Sequence, residues 1–136
     1  MPTPEQFNQK GQSYLPGFLG IVITSVDVAE IRAELAVRPE LMAPNGFLHA
    51  GSIVTLADTA AGYGCMQNLP AGASGFTTIE LKSNHVGTVR EGVIECVARP
   101  VHLGSTTQLW DATVTAKGSS KLLALFRCTQ MVLYPR

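Results

Sequence analysis

An excess of charge is the first thing missing from this sequence. Ten Lys and Arg offset ten Asp and Glu over 136 residues, which argues against a protein that holds nucleic acid or a membrane surface by bulk charge. Cysteine is scarce and unpatterned: Cys65, Cys96 and Cys128 are odd in number, far apart and outside any Cys-X-X-Cys or Cys/His cluster. Neither a disulfide framework nor a metal site is therefore expected, and a reducing compartment, the cytoplasm, is the expected location. The N-terminus has no basic segment leading into an apolar run, and no stretch approaches the roughly 20 apolar residues of a membrane span. Internal repeats and low-complexity segments are missing too.

What is present is a hydrophobic fraction of 46% in a chain of single-domain length. That is enough for one core, so residues 1–136 are read as one domain. The balanced charge is unevenly placed. Residues 1–81 carry three Lys/Arg against seven Asp/Glu, and residues 82–136 carry seven against three. A basic second half suits a phosphorylated ligand, although imbalances of this size are common without one.

Residues 1–15 form a polar N-terminal segment in which Gln6 to Tyr14 reads as a short helix ending before Pro16. Phe18 to Val37 is β-rich, and from Ala29 to Leu35 polar residues alternate with apolar ones, the pattern of a hairpin or of one long bent strand with a wet face. Pro39 to Gly46 holds two prolines and an Asn-Gly pair and is a loop by composition. From Gly51, residues Ile53, Leu56, Ala57, Ala60 and Gly64 recur at three- and four-residue steps and predict a mostly buried helix that ends by Asn68. Strands are expected over 76–83, 93–102, 106–115 and 122–134, with turns at Gly87 to Gly92, around Gly104 and at Lys117 to Ser120. Asn84 and His85 fall just after the first of these strands, entering a turn, and Trp110 and Phe126 read as core or interface. This order predicts an α+β domain, a curved antiparallel sheet wrapped around one central helix.

The stretch that organises the chain is Pro44 to Gly64, PNGFLHAGSIVTLADTAAGYG. Asp58 stands alone among small, apolar and hydroxyl-bearing helical residues, and an ionised carboxyl is costly to bury without a partner. Two roles are open for it: an acid used in chemistry, or a structural acid capped by the hydroxyls of Thr55 or Thr59. At the helix start, His49, Ala50 and Gly51 offer unpaired backbone N–H groups and the positive end of the helix dipole, where a carbonyl oxygen gaining negative charge is stabilised. His49 itself reads more simply as a hydrogen-bonded turn residue than as a general base. Asp58 lies about 10–12 Å further along the axis, too far to act on the same atom within one subunit. Two subunits with their helices side by side resolve that separation, so a dimer enters the reading.

Residues 48–62, LHAGSIVTLADTAAG, resemble the signature of hotdog-fold acyl-CoA thioesterases of the phenylacetate-degradation and 4-hydroxybenzoyl-CoA thioesterase type, His-Gly-Gly followed by a helix with Asp or Glu nine residues after the His. His49 and Asp58 have that spacing. The Arg90-Glu91-Gly92 turn and the stretch from His102 to Thr107 fall in the family's order, and the likeness covers about residues 15–134. The resemblance implies a hotdog fold and hydrolysis of an acyl- or aryl-CoA thioester, with no metal or other cofactor. It implies that the Ala50 N–H holds the thioester carbonyl while Asp58 of the partner subunit acts as general base or as nucleophile. A homo-oligomer, a dimer or dimer of dimers, is implied with it.

Two departures from that signature qualify the expectation. Ala50 replaces the second motif glycine, and Ala43 stands where the family often places Asn or Gln six residues before the His; Asn45 is the nearest substitute. For coenzyme A the resemblance points to Gly104, Ser105 and Thr106, with Arg90 and Lys82 as cations, and for the acyl group to Asn84 and His85; Thr59 is a further candidate for binding the substrate. Ser-Thr-Thr is also ordinary strand composition. The rival readings are a non-catalytic acyl-CoA binding or sensing module, a thioesterase acting on carrier-protein thioesters, and an acyl-thioester dehydratase of the same fold, whose own signature is missing here.

Overall fold

A computed structural model describes residues 1–136. Its elements follow the sequence pattern from residue 20 onward, with corrections before that point and at one strand end. Helix α1 spans Pro4–Gly11 and is closed by a capping box in which Thr3 and Gln6 exchange side-chain and backbone hydrogen bonds. It therefore starts and ends earlier than Gln6 to Tyr14. A second short helix, α2 (Leu15–Leu19), follows, with Pro16 in its first turn. Proline lacks the N–H that a first turn leaves unpaired anyway, so Pro16 opens a helix here where it was expected to follow one. Phe18 accordingly sits in a helix and not in a strand.

The hairpin alternative is the one realised next. Strands β1 (Val22–Asp27) and β2 (Glu30–Ala36) pair antiparallel, with Asp27 opposite Glu30. A single 3₁₀ turn over Pro39–Leu41 interrupts the loop that leads to the long helix α3 (Ala50–Gln67). Strands β3 (Gly75–His85), β4 (Val93–Leu103), β5 (Thr107–Ala116) and β6 (Leu122–Leu133) complete the chain. Asn84 and His85 thus belong to β3, paired with Leu125 and Ala124, and do not enter a turn. All neighbouring strands are antiparallel, in the order β1-β2-β4-β5-β6-β3.

The sheet curves around α3, the hotdog arrangement expected from the sequence. One face of α3 (Ile53, Leu56, Ala57, Ala60, Ala61 and Cys65) is buried in the core with Ile31, Leu35, Ile94, Trp110 and Val114 from the strands. Each fully buried Leu or Ile stabilises the fold by about 1.5–3 kcal/mol. The helix comes close because its residues are small: a Cβ on Gly64 would lie 2.4 Å from Cζ3 of the Trp110 ring. Trp110 is held in turn, since its Nε1 donates to Gln108 Oε1 and Gln108 Nε2 donates to the Asn68 carbonyl, each at 2.8 Å. That chain ties the C-terminal end of α3 to β5. Cys65, Cys96 and Cys128 are all buried, and burial pushes each thiol up to about 12.

The opposite face of α3, a half-buried stripe through Thr55, Asp58, Thr59, Gly62, Tyr63 and Met66, meets the sheet at Phe76 and Thr78 of β3. Helix α1 meets it at Tyr63, whose ring stacks on Phe7 with centroids 4.5 Å apart. Asn8 of α1 brackets Ile23, accepting from its N–H at 2.8 Å and donating to its carbonyl at 3.1 Å, and so blunts the free edge of β1. The other edge, β3, has no such cover, and Ile79 and Leu81 on it are 55% and 41% exposed. No helix is long and apolar enough to cross a membrane.

Candidate active site

His49 is the N-cap of α3, in extended backbone conformation, and its Nδ1 accepts the Gly51 N–H at 2.7 Å. The ring therefore carries no proton on Nδ1 in this arrangement, and Nε2 remains as a donor. This is the turn role that the sequence favoured over general-base chemistry. It also corrects one expectation: the Gly51 N–H is spoken for and is not available to a substrate. The Ala50 N–H, one residue earlier, takes no partner. Ser52 and His49 anchor this helix start on Leu41, through the Ser52 hydroxyl at 2.9 Å and the His49 N–H at 3.1 Å from the Leu41 carbonyl.

A cleft of about 570 Å³ opens at this point, lined by Ala43, Asn45, Phe47, Leu48, His49, Ala50, Ile53, His85, Gly87 and Thr88. Asn45 turns its Oδ1 onto the Phe47 N–H at 3.1 Å, which leaves its amide nitrogen without a partner beside the cleft. The Arg90 guanidinium lies over the Phe47 ring, 4.3 Å from its centroid, and makes no ion pair. A cation held in this way at the cleft edge suits a phosphorylated ligand. Nothing in the loop composition signalled the Arg90–Phe47 stack, because the two residues come from different loops.

Asp58 lies elsewhere. Its carboxylate borders a second, smaller depression of about 190 Å³ with Pro16, Thr59, Gly62, Tyr63, Met66, Phe76 and Thr78. Oδ1 is sealed from solvent and has no hydrogen-bond partner, and burial raises the acid above the usual carboxylate range. The capped, structural role for Asp58 fails on this geometry: the Thr55 hydroxyl donates at 2.8 Å to the Gly51 carbonyl, and no bond joins Thr59 to Asp58. A carboxylate oxygen left buried and unpaired costs about 1–3 kcal/mol, and the basicity of the acid is raised by the same surroundings. Eight residues separate it from Ala50, about 12 Å along the axis, and the two depressions share no lining residue.

The remaining expected site residues scatter. His85 faces the Ala50 cleft, whereas Asn84, its neighbour in a strand of period two, points to the outer sheet face beside Lys82 at 3.4 Å and the Asp111–Arg127 pair. Gly104, Ser105 and Thr106 form the β4–β5 turn, beyond the C-terminal end of α3, where Tyr134 donates to the Ser105 carbonyl. Within one chain that turn and Arg90 are therefore separated by roughly the 27 Å length of an 18-residue helix, and they do not form one coenzyme site. Tyr63, Met66, Phe76 and Thr78, which line the acid's depression, were not singled out from the sequence. The three- and four-residue spacing of Asp58, Gly62, Tyr63 and Met66 was the available signal for half of them. No group of three metal-ligating side chains occurs.

Comparison with known proteins shows what the chain as a whole resembles. Residues 45–122 match the model of the Thioesterase superfamily. A 1,4-dihydroxy-2-naphthoyl-CoA hydrolase from Escherichia coli is 33% identical over 115 residues, covering 82% of this chain and 82% of that protein. A protein of the same name from Listeria monocytogenes is 32% identical over 111 residues, 82% of this chain and 89% of its own. Among solved structures, a variant thioesterase from Pseudomonas aeruginosa superposes with a TM-score of 0.92 at 28% identity, over 98% of this chain and 95% of that one. A Haemophilus influenzae thioesterase does so with a TM-score of 0.92 at 29% identity, over 98% and 92%.

Proposed function

Because the chain belongs to the Thioesterase superfamily, we propose that it hydrolyses the thioester bond of an acyl- or aryl-CoA. The observation that carries this reading is a pair of unspent groups on one helix, the free Ala50 N–H at its start and the unpartnered Asp58 carboxylate two turns on. The N–H holds the thioester carbonyl oxygen and stabilises the negative charge that gathers there. Asp58, made more basic by burial, takes a proton from a water whose oxygen attacks the carbonyl carbon. Collapse of the tetrahedral intermediate breaks the C–S bond, and the departing thiolate receives the proton from Asp58. The products are the free acid and CoA, and no cofactor takes part.

Since these groups stand about 12 Å apart on the helix, each site draws its N–H from one subunit and its acid from a second. The open β3 edge, with Ile79 and Leu81 exposed, supports such a homodimer. Leu125, Met131 and Leu133 leave a further apolar area on the outer sheet face, which supports the expected pairing of dimers. Three unpaired cysteines support the expected cytoplasmic location. Arg90, above Phe47 at the cleft edge, is assigned to the coenzyme phosphates in preference to the distant Ser105 turn.

Thiol release from benzoyl-CoA tests the reading. Wild-type turnover should fall by about 10²–10⁴ in Asp58→Asn. Turnover surviving in that variant overturns the mechanism, and tight acyl-CoA binding by the wild type without turnover favours a sensing module instead.

A further inference from the structure

The half-buried stripe of α3 does not stop at Asp58. Gly62 and Met66 follow it at i+4 and i+8, one row on a single helix face. Gly62 has no side chain to fill the row, and the Phe76 ring faces it as the opposite wall of the acid's depression, 3.4 Å from where a Cβ on Gly62 would stand. Met66 borders the acid's depression and also lines a larger cavity of about 580 Å³ between α1, the C-terminal end of α3 and the β1–β2 turn. The two spaces thus meet at one flexible thioether side chain, with the Phe7–Tyr63 stack as the wall on the α1 side. From Asp58 to Met66 the helix rises about 12 Å, longer than a single aromatic ring.

The larger cavity holds a cation without a counter-ion. Lys10 Nζ rests 3.0 Å from Met66 Sδ, a weak acceptor, and every ion pair in the molecule uses other residues. The acid nearest in sequence to the wall residue Val28 is Asp27, whose carboxylate accepts the Val28 N–H at 2.7 Å. Lys10 is exposed at the mouth of this cavity, so its ammonium can take up an arriving anion there with no ion pair to displace.

On the thioesterase reading, we propose that the row from Asp58 to Met66 is the floor of an acyl channel ending in the cavity beneath α1, and that Lys10 there receives a carboxylate at the far end of the acyl group. The substrate class is then a CoA thioester of an extended acyl chain that ends in an anion. Three probes test this by kcat/KM: benzoyl-CoA, decanoyl-CoA and the mono-CoA thioester of sebacic acid, which equals decanoyl-CoA in length and adds the carboxylate. The wild type should prefer the sebacoyl over the decanoyl thioester by at least about tenfold, the worth of one charge-assisted contact. That ratio should fall to near one in Lys10→Met and below one in Lys10→Glu, and Met66→Trp should lower decanoyl relative to benzoyl turnover by a similar factor. A wild-type ratio of one, a ratio unmoved in Lys10→Met, or a decanoyl-to-benzoyl ratio unmoved in Met66→Trp overturns the proposal while benzoyl-CoA is still hydrolysed. A wild type that hydrolyses none of the three overturns the thioesterase reading as well.

Discussion

At the scale of the residue, Asp58 and Ala50 are the two unspent polar groups on which the proposed chemistry depends. The strain at Asp58 has a definite pH signature. Burial raises its folded-state pKa, so folding favours protonation of this acid relative to the unfolded chain. Its contribution to stability is fully present below the unfolded carboxylate pKa and is lost as the pH rises through the raised folded value. At pH 7 Asp58→Asn should therefore stabilise the protein, by roughly 1 kcal/mol, the low end of the cost of an unsatisfied buried group. Urea midpoints check this, and the gap between variant and wild type should close as the solution is acidified through the Asp58 pKa. The same titration should appear in catalysis: kcat/KM should fall on the acid limb with a midpoint above that of an ordinary carboxylate. The acid itself was legible from sequence, because a lone carboxylate among small helical residues is conspicuous. Its isolation was not, because Thr55 and Thr59 stand at plausible capping distance in the sequence and only the structure spends the Thr55 hydroxyl on Gly51.

At the scale of the element, α3 is legible from its three- and four-residue apolar steps, and the antiparallel strands after it from alternation and glycine turns. The elements that were misread are short or lie at ends. Helix α2 has five residues, too few for any period to emerge, and Pro16 signals both a helix start and a helix stop. Strand β3 extends through Asn84 and His85 because β6 supplies ladder partners for them, a tertiary cause that local composition does not carry. The contact between α3 and β5 leads to a sharp expectation. Gly64 faces the fully buried Trp110 ring, with no room for a methyl group, and the indole is pinned through Gln108 to the helix C-cap. Gly64→Ala, although favourable for an isolated helix, should destabilise the protein by about 1–3 kcal/mol through overpacking, measured as a lowered urea midpoint.

At the scale of the whole molecule, the division of one helix between two reaction centres can be tested by complementation. Ala50 is the first residue of α3 and follows an extended His49, a position where proline is well tolerated and removes only the N–H. Ala50→Pro should therefore fold yet lose about 10²–10³ in kcat. Random pairing of Ala50→Pro chains with Asp58→Asn chains makes half of the dimers mixed, each with one intact site of two, so about a quarter of wild-type activity should return. Failure of any activity to return would show that N–H and acid act within one subunit. A different consequence follows from the three buried cysteines. A thioester hydrolase generates a free thiol at every turnover, and such a thiol, once oxidised to a disulfide, is attacked by exposed protein thiolates. With thiols pushed up to about 12, only about one in ten thousand is ionised at pH 8, and all three are shut inside the core. The enzyme is chemically deaf to its own product: mixed disulfides with coenzyme A have no place to form until the chain unfolds.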